Sequence, residues 1–221
     1  ALAEEFRLAK RHLLATARAV AAEGGASRMV LVCSAQPDDG KTFCAINLAL
    51  SLAAERDTEV LLVDADFAKP DVTGRLGFES SGPGLLDAMA DPAIDLEACV
   101  VETDVPQLSV LPAGTRSHSD TELLASERGR QVLRALTDAD PRRLVIFDSP
   151  PALAASPASA MAAHVGQVLL VVRADGTSES ELREAVALLD GCAHISLLLN
   201  AVSFRPGGKR FGSYGAGEPE A

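Results

Sequence analysis

The sequence predicts an α/β protein built on a doubly wound, mainly parallel sheet with helices on both faces. Three observations carry that expectation. Nearly continuous apolar runs of five to seven residues recur along the chain, as expected for strands buried on both faces. Stretches with helical composition separate them. A Gly40-Lys41-Thr42 turn falls between the first apolar run and the first long helix after it.

The elements follow in order. Leu2 to Glu23 is rich in Ala, Leu, Arg and Glu, lacks Gly and Pro, and reads as one helix closed by Gly24-Gly25. Arg28–Ser34 is the first strand, and a long helix is expected from Lys41 to about Arg56. Further strands are expected at Glu59–Ala65, Gln107–Leu111, Arg143–Asp148, Gln167–Val172 and Ile195–Asn200. Ser119 with Glu122 spells a capping box that opens a helix to about Leu136. Ser178 with Glu181 spells another, for a helix to about Leu189. After Val202 the pattern stops: the last 19 residues hold five Gly and two Pro and read as a flexible arm. The expected organisation is an N-terminal helix over 1–25, a nucleotide-binding domain over 26–202 and a Gly-rich tail over 203–221.

Composition narrows the function. With 221 residues, one domain with appendages is the natural size. Lys plus Arg is 20 against 31 Asp plus Glu, a net charge of −11 that disfavours nucleic acid as a partner. The four Cys and four His are scattered and spell neither a disulfide framework nor a zinc site. No apolar run approaches the roughly 20 residues of a membrane helix. There is no Trp and only one Tyr, Tyr214, which lies in the tail.

The chemistry concentrates at three strand ends. The segment Ala35-Gln36-Pro37-Asp38-Asp39-Gly40-Lys41-Thr42 has the context of a P-loop. Successive amides at a helix start face phosphate oxygens, Lys41 neutralises the β/γ charge and the Thr42 hydroxyl reaches Mg²⁺. Gly40 lets the backbone approach without a Cβ. Val63-Asp64-Ala65-Asp66 and Ile146-Phe147-Asp148 put carboxylates where an open α/β sheet forms its ligand crevice, so Asp64, Asp66 and Asp148 can converge on a metal beside Thr42. The pattern points to Mg-nucleotide binding.

With these residues in view, the sequence resembles the bacterial tyrosine kinases of polysaccharide export, in the MinD/ParA-like branch of P-loop ATPases. Ser34 to Thr42 is similar to that family's Walker A block, Leu61 to Val72 (LLVDADFAKPDV) to its Walker A′ block and Ile146 to Pro151 to its Walker B. The flanks Phe43–Ala53, Leu111–Thr115 and Glu122–Glu127 resemble the subgroup found in exosortase-linked exopolysaccharide loci. Glu4 to Lys10 is similar to the segment through which neighbouring subunits of the family pack into a ring, with Lys10 in place of the last Arg. Two departures stand in the P-loop: Asp38 replaces the usual Gly and Asp39 the usual Glu.

The resemblance implies ATP and Mg²⁺ as cofactors. Asp38, Asp39, Gly40, Lys41, Thr42, Phe43 and Asn200 would surround the nucleotide, with Asn200 at the adenine. Thr42, Asp64 and Asp148 would hold the metal. Lys41, Asp64, Asp66 and Asp148 would be the catalytic set, either Asp64 or Asp66 orienting or deprotonating the attacking hydroxyl. Tyr214 would be the phosphoacceptor. The implied partners are a membrane chain-length determinant (a polysaccharide co-polymerase), further copies of the chain in a ring, and a cognate tyrosine phosphatase, at the cytoplasmic face of the membrane. Two other functions compete. A positioning ATPase of the MinD/ParA type would carry a second lysine early in the P-loop, where this chain has Gln36. A nucleotide-gated regulator without kinase activity would fit the single tail tyrosine, since the family normally ends in a tyrosine cluster.

Overall fold

A computed structural model describes residues 2–22, 26–79, 81–116 and 119–202. Tyr214 and the rest of the expected tail, the glycines expected to close the first helix, and His118 lie outside the described residues.

The chain order is α1 (Leu2–Ala22), β1 (Met29–Ser34), α2 (Lys41–Ala53), β2 (Glu59–Asp64), α3 (Val72–Leu76), α4 (Leu85–Ala90), β3 (Val101–Glu102), β4 (Leu108–Leu111), α5 (Asp120–Ala125), α6 (Glu127–Asp138), β5 (Arg143–Asp148), α7 (Pro157–Ala162), β6 (Gln167–Arg173), α8 (Glu179–Leu188) and β7 (Ile195–Asn200). The seven strands form one sheet in the order β3-β4-β2-β5-β1-β6-β7. Every neighbouring pair is parallel except β3 with β4. This is the doubly wound sheet that the alternating apolar runs predict; the short antiparallel edge strand β3 has too little sequence to announce itself.

Because side chains alternate across a strand, each strand feeds two cores. Val30, Val32, Leu62, Ile146 and Val171 face α1 and α2, where Phe6, Leu13, Leu48 and Leu52 are buried. Leu31, Cys33, Val63, Phe147 and Leu170 face the other way, against Leu85 of α4, Leu133 of α6, Met161 of α7 and Leu189. Covered on both sides, β1 and the inner strands carry no polar alternation, which is why they read as continuous apolar runs.

Two expected helices differ in extent. The one from Lys41 stops at Ala53 rather than near Arg56. The one expected from Ser119 to Leu136 is two helices, broken at Ser126, whose backbone is extended at φ −71° and ψ 161°. The side-chain cap belongs to Ser126, whose Oγ accepts from the Gly129 amide at 2.9 Å. Gly129 makes the corner, since a Cβ there would lie 2.2 Å from the Leu123 carbonyl oxygen. The Ser178–Glu181 capping box forms as expected.

The helix α1 is strapped to the sheet by polar contacts. Lys10 bonds the Ser51 carbonyl and pairs with Glu55 at the end of α2, and Gln167 donates to the Leu13 carbonyl at 3.2 Å. Glu4 and Arg7 pair with each other at 2.7 Å on the exposed face. Thus the first two members of the ring-like segment face solvent, while Lys10 turns inward.

Candidate nucleotide site

The loop between β1 and α2 is shaped by its own polar groups. Ser34 Oγ donates to the Gln36 carbonyl at 2.8 Å, and the Asp39 carboxylate accepts the Gln36 amide at 3.1 Å. Asp39 is therefore a buried brace of the loop, with its charge turned onto a backbone N–H. Asp38, by contrast, is exposed and adopts a left-handed backbone at φ 63°. Gly40 follows at φ 96° and caps α2. Asn200, at the end of β7, donates from Nδ2 to the Asp39 carbonyl at 2.9 Å. A Cβ on Gly40 would lie 2.1 Å from that nitrogen, so glycine is required both by conformation and by the approach of Asn200.

Lys41 opens α2 and reaches Asp66 Oδ2 at 2.8 Å. Burial alone would depress its ammonium; Asp148 and Asp66 more than offset that and hold its pKa above the ordinary value. The cleft over this pair is lined by Asp38, Gly40, Lys41, Thr42, Lys69 and Arg75 among others. Lys69 and Arg75 are additions to the residues singled out above, although both lie in or just after the Walker A′ segment. Phe43 presents its ring to Phe6 of α1, edge to face with centroids 6.2 Å apart, and borders a separate apolar slot with Leu2, Leu199 and Asn200.

Asp64 and Asp148 are register partners across β2 and β5, and each is 1% exposed. Asp64 is saturated with backbone donors. Its Oδ2 accepts the amides of Asp71 at 2.9 Å and Val72 at 3.0 Å, and its Oδ1 accepts the Asp66 amide at 3.3 Å. Desolvation outweighs these bonds and pushes its pKa up to about 6. Asp148 has both oxygens buried with no hydrogen-bond partner. Burial raises its pKa to about 7 against the pull of Lys41, and the Thr42 hydroxyl eases its charge without completing a bond of normal geometry.

The structure thus gathers Asp38, Asp39, Gly40, Lys41, Thr42, Asp64, Asp66 and Asp148 at one end of the sheet, with Asn200 against the loop. Among the described residues no group of three or more His, Cys, Asp or Glu is placed to hold a metal by itself. Asp64 is engaged by backbone amides and Asp66 by Lys41, which leaves Asp148 as the carboxylate of the three without a hydrogen bond. An orphaned buried carboxylate beside a threonine hydroxyl is the donor set a Mg²⁺ ion needs.

A second cleft opens beside the same strand ends, lined by Phe67, Ala68, Arg116, Thr121, Pro150 and Ser156 among others. No helix among the described residues is long and apolar enough to cross a membrane.

The chain is similar to known proteins along most of its length. The AAA domain family matches residues 28–189. EpsB of Ralstonia nicotianae is 32% identical over 209 residues, which cover 92% of this chain but only 26% of EpsB. The tyrosine-protein kinase YwqD of Bacillus subtilis is 30% identical over 175 residues, 79% of this chain and 71% of YwqD. Among solved structures, the VpsO kinase domain superposes with a TM-score of 0.71 at 30% identity, covering 89% of this chain and 98% of that one. A ParA family ATPase of Chlorobium tepidum and MinD of Pyrococcus horikoshii share the fold, with TM-scores of 0.61 and 0.64 at 22% and 21% identity. The chain spans about a quarter of the length of EpsB.

Proposed function

Since this chain belongs to the bacterial tyrosine-protein kinases, within the P-loop AAA domain class, we propose that it transfers the γ-phosphoryl group of Mg-ATP to tyrosine, with Tyr214 as its own acceptor. The observation that carries the reading is the orphaned carboxylate of Asp148, buried beside Thr42 and Lys41 at the mouth of a P-loop. A buried carboxylate with no partner is costly, and a ligand that brings positive charge removes the cost.

The roles follow from position. The amides at the start of α2 and Lys41 take the phosphates, Lys41 exchanging its bond to Asp66 for a phosphate oxygen. Thr42 and Asp148 are the residues that would hold Mg²⁺. Bound there, Mg²⁺ neutralises charge on the transferring group. Asp64 keeps the Asp66–Val72 turn in place through its three amide bonds. Asp66, freed from Lys41, orients the tyrosine hydroxyl and accepts its proton as the new O–P bond forms and the β–γ bridge breaks. The cleft between Phe67 and Pro150 has room for the acceptor ring. Asn200 and Phe43 border the adenine side.

In the cell we assign this activity to polysaccharide export, at the cytoplasmic face of the membrane. The partners are a membrane chain-length determinant, a tyrosine phosphatase that reverses the modification, and other copies of this chain meeting through the exposed Glu4–Arg7 face of α1. The domain division is the helix over 1–25, the catalytic domain over 26–202 and the acceptor tail over 203–221. A positioning ATPase is disfavoured because Gln36 stands where a second lysine is needed, and its side chain is engaged by Glu181 at 3.0 Å.

Intact mass after incubation with Mg-ATP tests the reading. Wild type should gain one phosphate, and Lys41→Met and Tyr214→Phe none, Lys41→Met slowing transfer at least about 10³-fold. A gain that persists in Tyr214→Phe would overturn the acceptor assignment. Nucleotide binding with no mass change would favour the regulator.

A further inference from the structure

The P-loop is gripped from outside by residues that lie beyond the Walker segments. Three polar side chains meet it from the β6–β7 side of the sheet: Arg173 at the end of β6, Glu181 in the first turn of α8, and Asn200 at the end of β7. Arg173 donates from Nη1 to the Asp38 carbonyl at 3.0 Å, Glu181 Oε1 accepts from Gln36 Nε2 at 3.0 Å, and Asn200 donates to the Asp39 carbonyl at 2.9 Å. Every one of these bonds falls on the stretch in which a non-glycine residue, Asp38, is left-handed. Such a conformation persists when its surroundings over-determine it.

Arg173 is itself fixed. Its amide donates to Thr177 Oγ1 at 3.0 Å, and its carbonyl accepts the amides of Gly176 and Thr177 at 3.1 and 3.0 Å. Its register partner is Asn200, and Ala174 closes the same strand end by donating to the Asn200 carbonyl. A Cβ on Gly176 would lie 2.9 Å from Arg173 Cδ and 3.2 Å from its Cγ. Glycine there leaves room for the arginine stem to lie across the turn toward the loop. The guanidinium is exposed, yet the bond it makes is to a neutral backbone oxygen of the loop.

We propose that Arg173 is a positioning residue for the phosphate loop: by holding the Asp38 carbonyl it keeps the left-handed backbone that turns the following amides toward the phosphates. This rests on the nucleotide reading of the site for its functional consequence but not for its structural one. It also accounts for Asp38 standing where glycine would take the conformation freely. The clamp supplies from outside the order that the residue does not supply itself.

The test compares wild type, Arg173→Met and Arg173→Lys in the full chain by two readouts. These are the Kd for Mg-ATP and the amide hydrogen exchange of residues 35–44 in nucleotide-free protein. Arg173→Met should weaken Mg-ATP binding roughly tenfold and speed exchange in that segment, with an unchanged melting temperature and unchanged exchange in α6. Arg173→Lys, which keeps a donor within reach, should restore binding to within about threefold of wild type. Unchanged loop exchange in Arg173→Met overturns the proposal, whether or not ATP binding falls, because an arginine that touches only the nucleotide leaves the empty loop as it was. Wild type that binds no Mg-ATP would overturn the nucleotide reading instead, and the exchange measurement would still decide the clamp.

Discussion

The ends of β2 and β5 lie side by side, finish on the same residue type in the same register, and are equally buried, yet their carboxylates do opposite things. Asp64 is enclosed by three amides of the turn that follows it, so its charge organises the protein. Asp148 is followed by Ser149-Pro150-Pro151, which leads the chain away and returns no amide to it, so its oxygens are left without a hydrogen bond and only Lys41 answers its charge. Proline has no N–H to give. The difference teaches how adjacent strand ends of one α/β sheet can treat the same residue type oppositely: one aspartate is satisfied by the fold, and the other is left by the fold without a hydrogen bond.

The largest expected effect breaks the first half of this comparison. Asp64→Ala orphans the amides of Asp66, Asp71 and Val72 and should cost about 3–5 kcal/mol in chemical denaturation, while Asp64→Asn, which keeps an acceptor oxygen, should cost clearly less. If Asp64→Ala were neutral, the turn would not depend on it.

A smaller effect is set by pH. Both carboxylates have folded pKa values raised above the ordinary 3.8, Asp64 to about 6 and Asp148 to about 7, so the folded state binds their protons more tightly than the unfolded one. Their contribution to stability is full below about pH 4 and is lost as pH rises through 6 and 7. Denaturation of nucleotide-free protein at pH 6 and pH 8 should show wild type losing about 2 kcal/mol over that interval, and Asp148→Asn losing less. Equal losses in the two proteins would assign the pH dependence elsewhere.

Much of this was legible in the chain. The apolar runs disclosed six of the seven strands because burial on both faces erases polar alternation. The P-loop and the two aspartate-bearing strand ends disclosed the site because parallel topology brings C-terminal strand ends together. The break at Ser126 was not legible, since Ser119-x-x-Glu122 offers an equally good local cap and only the approach of Gly129 to Leu123 decides between them. Nor was the contrast between Asp64 and Asp148: each follows a run of apolar residues, and what separates them is whether the next turn folds back. Arg173, and the contact that Glu181 makes with the loop, escaped for a related reason. Both side chains lie more than 130 residues from the loop they touch, and nothing around them in sequence marks the contact.

The contrast is tested most directly by the thermal melting of Asp148→Asn beside wild type at pH 8, with and without Mg-ATP. Removing a buried charge that makes no hydrogen bond should raise the melting temperature of the nucleotide-free protein by roughly 3–5 °C, and Mg-ATP should stabilise wild type but not the variant. If the variant instead melts below wild type in the absence of nucleotide, as Asp64→Ala must, then Asp148 is a second structural aspartate and is not the group that the fold leaves for its ligand.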